Sequence, residues 1–319
     1  MPPLEQFDDL LRQVDVAQRS GFTLIALGQH VLYGDVRWLQ PVPTLARLAA
    51  ELDPVVRVAT TVLIEPLHHP VMLAEELATL DIVTGGRLDV GLGVGYRREE
   101  FEQLGVPFAD RTSLLEETVA VLRAMWSEER VTFDGRHWQL SNAEPHIHPV
   151  QRPSPPIWIG ASSEAGVRRA ARIGDAWPIG PRLSLDRIRE LLAAFDDARA
   201  TSGRPAARHP IRREIVIGAD RDAARARFHD MTAERYEAYA ARERGSIAGG
   251  DENSEPAIVG TPDQVVDEVL RMAAELPVGP VITRVQWPGM TAADVHAYVE
   301  DLGRHVVHPI RAALGSTSA

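Results

Sequence analysis

The chain contains no cysteine and no lysine; all 34 of its basic residues are arginine. Without cysteine there is no disulfide, no thiol nucleophile and no cysteine-ligated zinc or iron–sulfur site. Without lysine there is no amine for a Schiff base, which excludes aldolases of that type and pyridoxal phosphate enzymes. Long apolar runs are also missing. The longest are strand-sized, well short of the roughly 20 residues that a membrane-spanning helix needs. The opening residues, MPPLEQFDDLLRQ, have neither the basic nor the apolar part of a signal peptide. A cytoplasmic protein with no membrane partner is expected. Excess positive charge is missing too: the net charge is −11, and no arginine cluster is interleaved with aromatics. No nucleic-acid surface is expected.

What is present, 45% hydrophobic over 319 residues, suits one large globular domain or two small ones, and a single unit over residues 1–319 is expected. It is organised around residues 55–110. Val55 to Leu63 is β-branched and apolar, as a strand buried on both faces should be. Pro70 opens a helix whose apolar face is Val71, Leu73, Ala74, Leu77, Ala78 and Leu80, and Gly85-Gly86 stops it. Arg87 to Gly91 starts a second strand, which runs into the alternating glycines Gly91, Gly93 and Gly95. Two parallel strands joined by a helix need a right-handed crossover. In parallel α/β folds, ligands sit at the carboxyl ends of the strands, and alternating glycines there allow a close approach to the backbone.

The same alternation fills the rest of the chain. Leu4 to Ser20 reads as an amphipathic helix, and Phe22 to Leu27 as a strand with Gly28-Gln29-His30 at its carboxyl end. Thr44 is expected to cap a helix reaching about Leu52, and Asp110 one reaching about Glu128. Val131 to Leu140 alternates around Asp134-Gly135 and reads as a β-hairpin. Strands are expected at Pro156–Gly160, Asp175–Ile179, Ile211–Gly218 and Val281–Gln286, each followed by a helix. Residues 131–156 and 243–257 read as insertion loops at the carboxyl face. Seven strands result, whereas a closed (β/α)8 barrel has eight. The chain opens directly on a helix, so the first strand is the missing one. Either the barrel is open there or the protein starts upstream.

The runs HPVMLAEELATLD..TGGRLDVGLGVGYRREEFEQLG, R....EET..VLR.MW, PPIWIGASSEAGVRRAARIGDAW, VGTPDQV and R.QWPGM, in that order, resemble the bacterial luciferase-like monooxygenase superfamily. The resemblance covers about residues 5–312 and looks closest to the actinobacterial branch that uses the deazaflavin F420. It implies a TIM-type (β/α)8 barrel that binds F420, or else FMN, at the carboxyl ends of the strands. It further implies a homodimer, and a separate reductase to supply reduced cofactor. The chain departs from the pattern in its missing first strand, in Gly160-Ala161 for Gly-Gly, and in Gly174-Asp175-Ala176 for Gly-Asp-Gly. Tyr96 stands where deazaflavin sugar-phosphate dehydrogenases carry a Glu, which argues against their substrate.

The resemblance assigns candidate roles. His30 is the catalytic candidate, a proton donor or acceptor facing the ring. A lone loop histidine is more often structural; its strand-end position and the family match favour function here. Thr60, Thr61 and Val62 are expected to back the ring, with a cis peptide at Thr61–Val62, and His69 to lie close by. Gly93, Val94 and Gly95 offer backbone donors, although a tight turn explains the same residues. Gly160, Ala161, Ser162 and Ser163, completed by Gly180 and Arg182, form the phosphate candidate at a helix N-terminus; the alternative is plain serine capping. Tyr33, Trp38 and Tyr96 are the substrate-pocket candidates. His68-His69 and His146-Ile-His148 lack the further ligands a metal needs, so no metal is expected. Asp81, Glu99, Glu100, Glu116 and Glu117 read as helix-surface charges, and Arg87 with Asp89 as ion partners inside the barrel.

An oxidoreductase acting on a small organic substrate is therefore expected, by hydride transfer with F420 or by O2-dependent monooxygenation with FMN. The loops 33–43 and 243–256 would close over the substrate. A non-catalytic flavin-binding or structural relative is the alternative from another class.

Overall fold

The computed structural model describes residues 2–34, 37–242 and 257–315, the side chains of 233–242 excepted. The expected closing loop at 243–256 lies outside them, as do Asp35 and Val36 of the loop 33–43. The chain begins with α1 (Pro3–Arg19), β1 (Leu24–Leu27), α2 (Pro41–Ala49), β2 (Arg57–Thr60), β3 (Leu63–Ile64), α3 (Pro70–Val83) and β4 (Leu88–Gly93). Next come α4 (Arg98–Gln103), α5 (Arg111–Ser127), the hairpin β5 (Val131–Asp134) and β6 (Gln139–Ala143), and β7 (Ile157–Ile159). Then follow α6 (Glu164–Ile173), α7 (Leu185–Thr201), β8 (His209–Arg212), β9 (Glu214–Ile217), α8 (Arg221–Arg242) and β10 (Ala257–Gly260). The last elements are α9 (Pro262–Glu275), β11 (Val278–Ile282), α10 (Ala292–Leu302), a π-helical turn at Gly303–Val307, and α11 (His308–Gly315).

Local chemistry sets most boundaries. α1, α2, α3 and α9 all begin on proline, whose missing N–H costs nothing at a first helical position. Thr261 and Gln264 form a reciprocal capping box at the start of α9. Gly85 and Gly86, at φ +67° and +79°, end α3 as expected.

The wall of the fold is a TIM-type barrel of parallel strands. β1 pairs with β2, β2 and β3 with β4, and β4 with β7. Single bridges Trp158–Ala176 and Ile179–Ile211 carry the ring across to β8, which pairs with β11. Among the described residues β1 pairs only with β2 and β11 only with β8. The wall therefore has seven strand positions and a seam between β1 and β11, and every residue of β1 is only half-buried.

Several elements differ from expectation, among them the expected strand Ile211–Gly218, which is the two strands β8 and β9. The Asp175–Ile179 segment makes only the two bridges, because Pro178 cannot donate to a ladder. The last strand is Val278–Ile282 and not 281–286; Gly279-Pro280 reads as a turn but sits at a register shift in a strand paired on one side. β10 is a four-residue strand beside β9, too short to stand out in the sequence. Thr44 and Asp110 cap nothing: the Thr44 hydroxyl donates to Gln40 O inside α2, and the Asp110 carboxylate is taken by Arg136. No helix among the described residues is long and apolar enough to cross a membrane.

Candidate active site

Successive strand residues point to opposite faces, so two apolar clusters define inside and outside. Val58, Val90, Leu92, Ile157, Ile159, Ile179 and Ile211 belong to the large core between the strands and the helices. Leu24, Ala26, Ala59, Trp158, Ala176 and Ile282 form a separate cluster in the barrel interior, with Trp158 filling the bore. Two residues further along each strand, the inward positions are Gly28, Thr61, Gly160, Pro178 and Arg284. On the same parity β4 contributes Gly91 and Gly93, and β8 contributes Arg212. Above Trp158, then, the interior is lined mostly by small residues, with charge confined to the β8 and β11 side.

The glycines have a first task inside the protein. The Thr61–Val62 peptide is cis, and it interrupts the strand between β2 and β3. The Thr60 hydroxyl donates to Gly91 O and accepts from Gly91 N–H, both at 2.8 Å. A Cβ on Gly91 would lie 2.0 Å from Thr60 O, and one on Gly93 2.6 Å from Val62 Cγ2. A Cβ on Gly95, at φ +73°, would lie 2.7 Å from Ile64. Gly91, Gly93 and Gly95 thus make room for the bulge and the strand after it. Val62 also lies 3.5 Å from where a Gly160 Cβ would be, so its side chain forms a floor across the glycine layer. Gly180 differs: nothing lies within 4 Å of its missing Cβ.

His30 is held from every side at the rim. Its Nδ1 lies 3.0 Å from Glu100 Oε1 of α4. Its ring packs on Tyr33 at 4.3 Å between centroids, edge-on to Trp38 at 4.8 Å and to Tyr96 at 5.9 Å. The sequence-expected pocket residues are therefore brought together with the catalytic candidate. Trp38 Nε1 donates to Gly28 O, and Arg97 stacks over Tyr33. Beneath them runs an amide chain. Gln29 Oε1 accepts from Ile64 N, so the nearby His68 Nε2, 3.0 Å away, must be the donor. Gln29 donates to Gln40, which donates to His30 O. Burial holds His68 below the usual imidazole range, so it stays neutral in this chain of bonds.

On the opposite side, Ser163 caps α6 by accepting from Gly166 N, and Ser162 is exposed. Trp177 Nε1 donates to Ala161 O and ties this loop to the next strand position. That indole packs near His209, whose Nδ1 accepts from Trp177 N and which burial pushes down to about 4. Gly180 and the half-buried Arg182 belong to a loop organised by Arg213, a residue not among the sequence candidates. The buried Arg213 guanidinium donates to the carbonyls of Gly180, Pro181, Leu183 and Arg212. Burial pushes it down to about 10, the Glu268 carboxylate offsetting only part of that.

Several carboxylates are not the surface charges expected of them. Asp81 is buried and accepts from Gln151. Glu117 accepts the N–H groups of Arg136, His137 and Trp138 and clamps the hairpin to α5. Glu100 is buried at the rim, as above. Asp89 pairs with Arg57, not Arg87, whose guanidinium donates to the carbonyls of Asp53, Val56 and Thr84. Glu65, just past β3, has no hydrogen-bond partner for either oxygen among the described residues. Burial pushes it up to about 8, the Thr118 hydroxyl alongside offsetting only part of that. His69 is exposed and packs against Trp138 of the hairpin at 4.9 Å, apart from the His30 cluster. A charge set into an apolar run, as in VLIEPL or PIRREIVI, is the signal that marks Glu65 and Arg213.

Comparison with known proteins agrees with this architecture. The monooxygenase RslO1 from Streptomyces bottropensis superposes with a TM-score of 0.82 at 24% identity, covering 95% of this chain and 93% of that one, which speaks for the fold. An F420-dependent glucose-6-phosphate dehydrogenase of Kineococcus radiotolerans is 30% identical over 269 residues, 79% of this chain and 71% of that protein. The oxygenase component of the flavin-dependent trigonelline monooxygenase of Acinetobacter baylyi is 29% identical over 196 residues, 60% of this chain and 54% of that one. The chain spans about half the length of the first curated relatives it matches. The family model described as luciferase-like monooxygenase matches residues 1–278. With its barrel, its cis bulge between β2 and β3 and its rim histidine, the chain belongs to the luciferase-like monooxygenase family.

Proposed function

We propose that the chain is an oxidoreductase that binds a deazaflavin, or else a flavin, in the barrel mouth and acts on a small organic substrate. The observation that carries this reading is the layer of small inward residues at Gly28, Thr61 and Gly160, floored by Val62 and bordered by His30. A flat tricyclic ring fits such a shelf, and side chains of ordinary size would fill it. Thr61, Val62 and the backbone of Gly93 to Gly95 would lie along the ring. The loop Gly160 to Ser163, with Gly180 and Arg182, would take the phosphate; the open space at Gly180 favours this. His69 would serve at the outer rim only.

When bound, F420 supplies hydride transfer, whereas FMN supplies oxygen activation, which a deazaflavin does not. The protein orients the substrate against the Tyr33, Trp38 and Tyr96 wall, excludes water, and holds or accepts a proton at His30. F420 is preferred. Its support is the 30% identity, over 71% of its length, to a protein named as F420-dependent. FMN use is supported by the similarity to a flavin-dependent oxygenase component, and implies a separate reductase here as well. Titration with F420 and with FMN, followed by cofactor fluorescence in both oxidation states, tests the reading. Tighter F420 binding supports a hydride-transferring enzyme, and tighter FMN binding a monooxygenase. Binding of neither leaves the non-catalytic alternative.

We also infer a homodimer through α2 and α3. Core-facing Leu73, Ala74, Leu77 and Ala78 leave a further apolar face on α3, where Met72, Ile82 and Val83 are exposed. Met72 and Val83, with Val42, Pro43, Ala46 and Ile147, line an open groove of about 490 Å³ that also carries Glu75, Glu76 and Thr79. Sedimentation should give a dimer, and Val83→Glu a monomer.

A further inference from the structure

We propose that Glu100 is a positioning residue that fixes the tautomer of His30, holding the proton on Nδ1 and leaving Nε2 as the free acceptor at the mouth. The proposal rests on the reading of His30 as the proton-handling group. Glu100 sits on α4, directly after the Gly95 turn of the fourth strand segment, while His30 follows β1. The contact therefore joins two strand ends that are 70 residues apart in the chain.

The geometry assigns the proton. Glu100 Oε1 accepts from the backbone N–H of Val31 at 2.9 Å, and backbone amides only donate. The same oxygen faces His30 Nδ1 at 3.0 Å, so the ring nitrogen donates to it. Arg97 Nη1 stands 3.5 Å from Oε1 and adds positive charge beside the carboxylate. The Glu100 side chain is 1% exposed and that of His30 11%, so water offers little competition for either group. His30 Nε2 has no hydrogen bond among the described residues, and three aromatic rings pack around the imidazole. A carboxylate that holds one imidazole nitrogen and so sets the role of the other is a general device. REEFEQ carries three acids in six residues and no periodicity marks the buried one, so a surface charge is what the sequence alone leads one to expect of Glu100.

The wild-type protein, free of cofactor and 15N-labelled at histidine, decides the matter by long-range 1H–15N correlation near pH 8, with the His30 signals assigned by their loss in His30→Asn. The expected result is the Nδ1–H form. Glu100→Ala should convert His30 to the Nε2–H form that free imidazole side chains favour. Glu100→Gln, which keeps an acceptor oxygen, should retain Nδ1–H. In turnover, Glu100→Ala should lower kcat by roughly ten- to a hundredfold with KM little changed, and Glu100→Gln should recover most of it. An Nε2–H ring in the wild type, or a tautomer unmoved in Glu100→Ala, overturns the proposal. The wild-type measurement needs no variant to fold. Because the tautomer is read without cofactor, failure of F420 and FMN to bind would count against the functional reading alone.

Discussion

Replacing Gly91 by alanine separates the two meanings a glycine-rich strand end can have. A Cβ there would sit 2.0 Å from the carbonyl oxygen of Thr60, 3.1 Å from its carbon and 3.3 Å from Val62 Cγ1. The obstacle is backbone, so no rotamer change relieves it. The bulge must move by more than an ångström, and the two 2.8 Å bonds between Thr60 Oγ1 and Gly91 are strained with it. Overpacking of this kind costs about 1–3 kcal/mol. Losing the two bonds adds about 1 kcal/mol each. The smaller entropy of the unfolded alanine chain returns about 0.4–1 kcal/mol. The net destabilisation is about 2–4.5 kcal/mol, or roughly 3–7 °C in Tm for a chain of this size. Thermal and urea unfolding of the two proteins side by side measure it. A Gly91→Ala protein that melts within about 1 °C of the wild type would refute the claim that this glycine makes room for the bulge.

Other positions give contrasting outcomes. Gly180→Ala meets nothing within 4 Å and takes no left-handed φ, so stability should hold or rise by about 0.4–1 kcal/mol. Its F420 affinity should nevertheless fall in the fluorescence titration, and unchanged affinity would remove Gly180 from the proposed phosphate site. His30→Ala should lower turnover by about 10²–10⁴-fold and leave cofactor affinity within a few-fold; a loss confined to binding would make His30 a binding residue only. Glu65 makes stability depend on pH, because burial raises it from 4.5 to about 8 in the folded state. Its folded form keeps a proton that the unfolded chain releases, so the contribution is complete below about pH 4.5 and is lost as pH rises toward 8. Glu65→Gln should therefore match the wild type near pH 4 and exceed it at pH 8 in urea midpoint. Equal midpoints at both pH values would mean that Glu65 has a polar partner in solution.

The parts of the fold that were legible are those where one local rule decides. Apolar spacing from Val71 to Leu80 with proline before and two glycines after leaves no other reading than α3. Proline in a strand defeated the same approach twice, at Pro178 and Pro280, because the sequence does not say whether a missing N–H faces a neighbour, a bulge or nothing. Only the ring of strands, with its seam beside β11, makes a proline there harmless.

The site was legible in its residues more than in their reasons. His30, Tyr33, Trp38 and Tyr96 lie together at one rim, and the contacts that hold them, through Glu100 and Gln29, join segments far apart in the chain. The glycines after β4 show the same gap from the other side. Alternating glycine signals that something comes close to the backbone, and at Gly91, Gly93 and Gly95 that something is the protein's own Thr60 to Ile64 segment. A ligand reading and a packing reading predict identical letters there. What separates them is whether the space is filled before any ligand arrives, as at Gly91, or open, as at Gly180. Buried charge is the more informative letter. Burying a charged group such as Glu65 or Arg213 costs stability, so such a residue persists only where the fold gives it partners to hold or keeps it protonated. Arg213 holds four carbonyls, and three of them, those of Gly180, Pro181 and Leu183, belong to the loop that carries Gly180 and Arg182. A buried arginine thus shapes the proposed phosphate loop.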